Sequence, residues 1–208
     1  VKWYYPAFTF LLSSNIAYGS SCGSVFDVEI GPWDYSSPID RRKNLSTVER
    51  RHFTNRVENL ISGESTNEVM DDLAYTLNKF PNHYRALHSV IRYDSQLNGV
   101  LPKVPKYPFP QTVECYFERA FQFKDNDPYL YQLYGIYLYK NNDFKEAKKH
   151  FLKSESIKPS AEAHYNLGLV YFELDDLENS KRYAEKAYSQ NFPMTGLKMK
   201  LQSKGISL

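Results

Sequence analysis

Cysteine is scarce in this chain. Cys22 and Cys115 are the whole complement of 208 residues, and neither has a neighbour at metal-ligand spacing. An excess of either charge is missing as well. With 26 Lys and Arg against 24 Asp and Glu the formal net charge is +2, which is not the basic footprint of a nucleic-acid binder. The Arg41-Arg-Lys43 and Arg50-Arg51 clusters are short and read as solvated faces. Long apolar runs are absent: the one at residues 3–12 is too short for an ordinary membrane span. There is no Gly-x-Ser-x-Gly elbow, phosphate-cradling glycine loop or dinucleotide fingerprint. The five histidines, His52, His83, His88, His150 and His164, form no HExxH motif and no i,i+4 pair. Each reads as a capping or seam residue rather than a metal ligand. Asp71-Asp72 and Asp175-Asp176 fall at helix starts or turns, where they complement the helix dipole. These gaps leave no catalytic residue, metal or cofactor to assign, and an enzyme is not expected.

What the chain does have is a repeat. Pro128-Tyr-Leu-Tyr-Gln-Leu-Tyr-Gly135 and Asp143-Phe-Lys-Glu-Ala147-Lys-Lys-His-Phe151-Leu-Lys-Ser154 are followed, 33 residues later, by Ala161-Glu-Ala-His-Tyr-Asn-Leu-Gly168 and Leu177-Glu-Asn-Ser180-Lys-Arg-Tyr-Ala184-Glu-Lys-Ala187. Gly135 and Gly168, Ala147 and Ser180, Phe151 and Ala184, and Ser154 and Ala187 keep that offset. Pro159 and Pro193 stand where one unit stops and the next begins. Apolar spacings of mostly three and four define helical faces. A mid-helix glycine costs about 1 kcal/mol in propensity, so Gly135 and Gly168 mark a close crossing, answered by Ala147 and Ser180 from the partner helix. Tyr131, Tyr134, Leu138 and Phe151 fill one seam; Leu167, Tyr171, Leu177 and Tyr183 fill the next. An ordinary helical bundle is the competing explanation, and two units agreeing in register weigh against it.

This order of aromatic, Leu-Gly, small residue and proline resembles the tetratricopeptide repeat. The resemblance implies an all-α fold, a right-handed α-solenoid of antiparallel helix pairs with about nine helices. Its function would be to hold a peptide or protein partner. First helices line the concave face of such arrays. Off the seam there lie Tyr129, Gln132, Ile136, Tyr139 and Lys140, then Tyr165, Asn166, Leu169 and Phe172, an aromatic and aliphatic strip suited to an extended or helical peptide. The carboxylate clamp that some family members use on chaperone tails fits poorly: Asn166 matches, but Gln132 and Tyr165 stand where long cations belong. The strip has competitors within the chain, the arm at 20–45 and a proline-rich loop at 96–110. A carbohydrate- or cell-wall-binding module is the alternative function, because Tyr and Trp also stack on sugars, and an accessory subunit of an envelope assembly is a third.

The front end reads as exported. Lys2, an apolar run and Ala17-x-Gly19 resemble a signal peptide over residues 1–19, the alternative being an apolar helix packed on the domain. Export and an even cysteine count invite a Cys22–Cys115 disulfide; two free thiols, or lipidation of Cys22, are the other readings. Residues 20–45, rich in Ser, Gly and Pro, read as an extended arm. Capping boxes at Ser46-Thr-Val-Glu49 and Ser65-Thr-Asn-Glu68 predict helices over about 46–62 and 67–80. Helices over 83–95 and 111–124 flank the proline loop, making 83–127 a degenerate repeat. After the clear repeats at 128–159 and 161–193, residues 194–204 read as a capping helix that closes a helical domain over 46–208. From Cys22 onward, Gly31-Pro-Trp-Asp-Tyr35, Asp72-Leu-Ala-Tyr-Thr-Leu77, Phe80-Pro-Asn-His83, Glu114-Cys-Tyr-Phe117 and His164-Tyr-Asn-Leu-Gly-Leu169 resemble an uncharacterised group of exported bacterial tetratricopeptide-repeat proteins. The resemblance implies a periplasmic or secreted scaffold with a protein partner, no nucleic acid and no span in the mature chain.

Overall fold

The structure, a computed structural model, describes residues 22–208. The expected signal peptide at 1–19 and the first two residues of the arm lie outside the described residues. Within them every regular element is helical. α1 (Pro38–Asp40), a π-helical turn (Arg41–Leu45) and α2 (Ser46–His52) run on without a break. There follow α3 (Asn55–Glu58), α4 (Val69–Lys79), α5 (Tyr84–Gln96), α6 (Val113–Phe123), α7 (Pro128–Lys140), α8 (Phe144–Ile157), α9 (Ala161–Glu173), α10 (Leu177–Ser189) and α11 (Gly196–Ser203). The result is an α-solenoid of helix pairs.

The first helix differs from expectation at both ends. It starts at Pro38, capped by the Ser37 hydroxyl, so the extended arm ends before residue 45. Ser46 is mid-helix, and Glu49 does not fold back to cap; its carboxylate takes His83 and Arg85 instead. The helix predicted to reach 62 breaks at Phe53 (φ −142°, ψ 48°), and Leu60 adopts φ 61°. The second predicted capping box also fails. Ser65 donates its hydroxyl to the Arg51 carbonyl, and the amides of Glu64 and Ser65 both go to the buried Asp72 carboxylate, so α4 begins later, at Val69.

The two repeats are built from matching local parts. Asp127, Asp143, Ser160 and Asp176 each accept a backbone amide of the helix they open. The tight turn inside each pair places Asn142 (φ 61°) and Asp175 (φ 58°) in the left-handed region, residue types that tolerate it. α7 packs on α8, α9 on α10, and α8 on α9. The Ser154 hydroxyl bonds the Pro128 carbonyl (2.9 Å) and the Ser180 hydroxyl the Gly168 carbonyl (2.8 Å), tying second helices to first.

The crossing glycines are met by unequal partners. A β-carbon on Gly135 would stand 2.6 Å from the Phe151 ring, so the side chain over the first glycine is Phe151 rather than Ala147. Over Gly168 the same offset supplies only Ala184. The vacant volume is filled by Leu197 of α11, whose Cδ2 lies 2.3 Å from where a β-carbon would be. α11 thereby docks on the second pair, with Leu197 and Leu201 fully buried against Tyr165, Ala184 and Ala187.

The arm is held down along its length. Cys22 and Cys115 form a disulfide with Cα atoms 5.1 Å apart. The Trp33 amide bonds the Lys79 carbonyl (2.8 Å), the Tyr35 amide bonds Asn82 Oδ1 (2.9 Å), and Lys124 pairs with Asp34 (2.6 Å). Tyr35 is buried, its ring 4.1 Å from that of His83. The proline loop is irregular as expected, yet it contributes Leu101 and Val104 to the main core formed by α4 to α7.

Candidate functional site

First helices of successive units lie side by side: α5 contacts α7, and α7 contacts α9. The predicted strip runs along them. Tyr129, in the first turn of α7, is its most open aromatic, 48% exposed, with its ring 5.2 Å from Tyr84 of α5 and the Lys158 ammonium 5.7 Å from its centroid. Lys140 is exposed at the other end of α7. Ile136, Leu169 and Phe172 are half-buried: Ile136 rests on the cluster of Ala147, Phe151 and Leu167, the other two on the cluster of Tyr165 and Leu197.

Two hydrogen bonds knit α9 to α7 through this strip. Asn166 Nδ2 donates to Gln132 Oε1 (2.9 Å), and the Tyr139 hydroxyl donates to Glu173 Oε1 (2.9 Å). Glu173 also takes Lys200 of α11 at 2.9 Å. Glu173 titrates below the usual range: burial opposes this, but the hydrogen bonds from Lys200 and Tyr139 outweigh it. Gln132 is thus a buried strut, with its amide nitrogen 3.4 Å from Ser160 Oγ.

One premise of the sequence reading needs correction. Tyr165 is not free of seam duty. It is 5% exposed, with its ring tilted against that of Phe192 at 4.7 Å and packed with Ala184, Ala187 and Leu197. Its burial follows from α11 folding back over α9. Tyr139 also has a packing role, with its ring 5.3 Å from Phe144. The side chains left for a partner are chiefly Tyr129 and Lys140, with the outer edges of Ile136, Leu169 and Phe172.

Of the two rivals for this strip, the loop borders it at one end, where Asn98 and Gly99 line a recess with Lys140. The arm's bonds and ring contacts go to α4, α5, α6 and Lys124: Phe26 meets Phe123 at 6.3 Å and Trp33 meets Phe80 at 5.4 Å. Sequence reasoning missed the contribution of α5. Its cap His83 corresponds to Asp127 and Ser160, so Arg85, His88 and Arg92 extend the same face. That correspondence of caps was the available signal. Arg85 is paired to Glu58 and Glu49. Exposed His88 titrates below its ordinary value through partial burial and the charges of Arg92 and Lys140, against the pull of Glu58.

The histidines serve the fold. His52 bonds Asp72 (2.7 Å); His83 caps α5; His150 stands among Phe121, Tyr131 and Tyr134; His164 meets Glu155 (3.2 Å) and Gln190 (3.0 Å).

Comparison with known families finds the tetratricopeptide repeat model matching residues 128–160 and again 161–192, the two helix pairs α7/α8 and α9/α10. No curated protein and no solved structure matches the chain.

Proposed function

We propose that this tetratricopeptide repeat protein is a protein-interaction scaffold that holds a peptide or protein partner along the face formed by α5, α7 and α9. Such repeats generally mediate protein–protein contact and are typically non-catalytic. The observation that carries the reading is Tyr129. A large aromatic stands nearly half exposed in the first turn of α7, on a face locked further along by the Asn166–Gln132 and Tyr139–Glu173 bonds. Rigid aromatic anchors on pre-organised surfaces dominate interface energetics. The charges of Arg92 and Lys140 favour a partner with an acidic residue toward the C-terminal ends of α5 and α7.

The cell envelope is the proposed setting. Its support is the Cys22–Cys115 disulfide, a bond that persists in oxidising compartments, together with the signal-like start of the sequence.

The test is capture from an envelope extract by the parent and by a Tyr129→Ala, Lys140→Ala double variant. Neither side chain is buried, so melting should be unchanged. A specific protein retained by the parent and lost by the variant supports the reading. Equal capture by both overturns it, and retention on purified glycan with no protein captured favours the carbohydrate alternative.

A further inference from the structure

Away from the strip, the arm and the proline loop wall in a cavity of about 500 Å³. Its lining mixes charge unevenly. Lys79, Lys106 and Arg119 come from α4, the loop and α6; Asp27 and Glu29 come from the exposed arm.

Arg119 is the unusual member. It is 6% exposed, and among the described residues it makes no ion pair with a carboxylate. Its Nη1 is committed to the backbone carbonyls of Cys22 (3.2 Å) and Ser24 (2.9 Å), which flank Gly23 at φ 68°. Phe109 lies against the guanidinium, with its centroid 4.3 Å from Cζ. Those contacts use Nη1 and one face. Among the described residues the Nε and Nη2 donors meet no hydrogen-bond acceptor, yet they are not sealed off: the one fully enclosed, unpartnered side-chain polar atom among the described residues is His150 Nδ1. The Nε–Nη2 edge is the fork with which arginine grips a carboxylate or phosphate bidentately.

The lysines reinforce it. Lys79 and Lys106 both sit over Tyr75, at 5.7 and 5.6 Å from its centroid, and neither forms an ion pair among the described residues. Burial and the Lys106 charge depress the Lys79 ammonium below its ordinary range, and burial likewise lowers Arg119. Glu29 and Asp27 act favourably on Lys79 and Arg119, and the Lys79 ammonium donates to the Ile30 carbonyl (2.8 Å), but three cations against two carboxylates leave an excess of positive charge that a bound anion would offset.

We propose that this cavity binds a small ligand bearing a carboxylate or phosphate group, gripped by the Arg119 fork and flanked by Lys79 and Lys106. Asp27 and Glu29 at the arm side favour hydroxyl or amino groups on the rest of the ligand.

The experiment is calorimetric titration of the intact disulfide-bonded protein with inorganic phosphate and, separately, with glucuronate, at ionic strength held constant with sodium chloride. The Arg119 Nε–H resonance is followed alongside. Saturable binding of either probe with a shift of that resonance is expected, and the probe that binds identifies which oxyanion the site takes. Lys106→Gln, an exposed residue with no hydrogen bond, should weaken binding by about two- to fivefold. Arg119→Lys keeps the charge, loses the fork, and should weaken it by roughly tenfold or more. Should Arg119→Lys fail to fold, the Lys106 variant and the resonance still decide. No saturable binding of either probe above the chloride control overturns the proposal. So does binding that leaves the Arg119 resonance unmoved and is indifferent to Lys106→Gln.

Discussion

His83 Nε2 lies 3.1 Å from Glu49 Oε1, while its Nδ1 accepts the Ala86 amide at 3.2 Å and so caps α5. A ring that accepts at Nδ1 and donates at Nε2 is the neutral tautomer. A proton on Nδ1 would displace the cap. Burial holds His83 below its ordinary value of 6.5 and outweighs the opposing pull of Glu49.

The first prediction is therefore a pH effect on stability. A histidine depressed in the folded state contributes stability that is complete above about pH 6.5, its unfolded value, and is lost as pH falls toward the folded one. Glu49, lowered chiefly by the His83 hydrogen bond, adds a loss of the same sign below 4.5. Melting temperature should drop between pH 7.5 and 5.5. His83→Asn keeps a capping acceptor and should show a shallower drop, with the remainder from His88, His150 and His164, which are also depressed. Identical drops in parent and variant would place the effect elsewhere.

Gly135→Leu should be far more damaging than a surface change. A β-carbon alone would already meet Phe151 at 2.6 Å, and overpacking of this sort costs about 1–3 kcal/mol. Thermal denaturation reads it, and adding Phe151→Ala should recover part of the loss. A melting temperature equal to the parent's would show that the ring moves freely aside.

Leu197→Ala should cost about 2–5 kcal/mol, because a fully buried side chain leaves a cavity over Gly168. Urea unfolding measures it. A loss below 1 kcal/mol, within the range of an exposed site, would mean that α11 is not integral to the array.

Unreduced, denatured protein should titrate with almost no free thiol, since Cys22 and Cys115 are joined. The bond spans 93 residues, and on the chain-entropy account its loss costs about 4–5 kcal/mol. Cys115→Ser should therefore lower the melting temperature and make the arm susceptible to protease. Two titratable thiols, or a Cys115→Ser protein as stable as the parent, would contradict this.

The repeats were legible because their determinants are local and occur twice. Asp143 and Asp176 cap, Gly135 and Gly168 cross, and Ser154 and Ala187 stay small, each pair at one offset. The beginning of the helical domain was not. Ser46 and Glu49 satisfy the local pattern for a cap, but Glu49 is claimed by His83 and Arg85, more than thirty residues on. The strip's positions on α7 and α9 follow from the repeat. Which residues stay open was hidden, because the burial of Tyr165 depends on α11 returning over α9. The cavity was invisible for a similar reason: Lys79, Lys106 and Arg119 share no sequence neighbourhood, and they meet once the arm is bonded to α6.

Ala184 decides what covers the second crossing. In the first unit Phe151 closes its own seam, and the next pair simply stacks on. In the second, alanine at the matching position leaves a socket that accepts a leucine from outside the unit. The docking of α11 is thus written into the helix before it: the size of one side chain on α10 sets whether a neighbour is admitted.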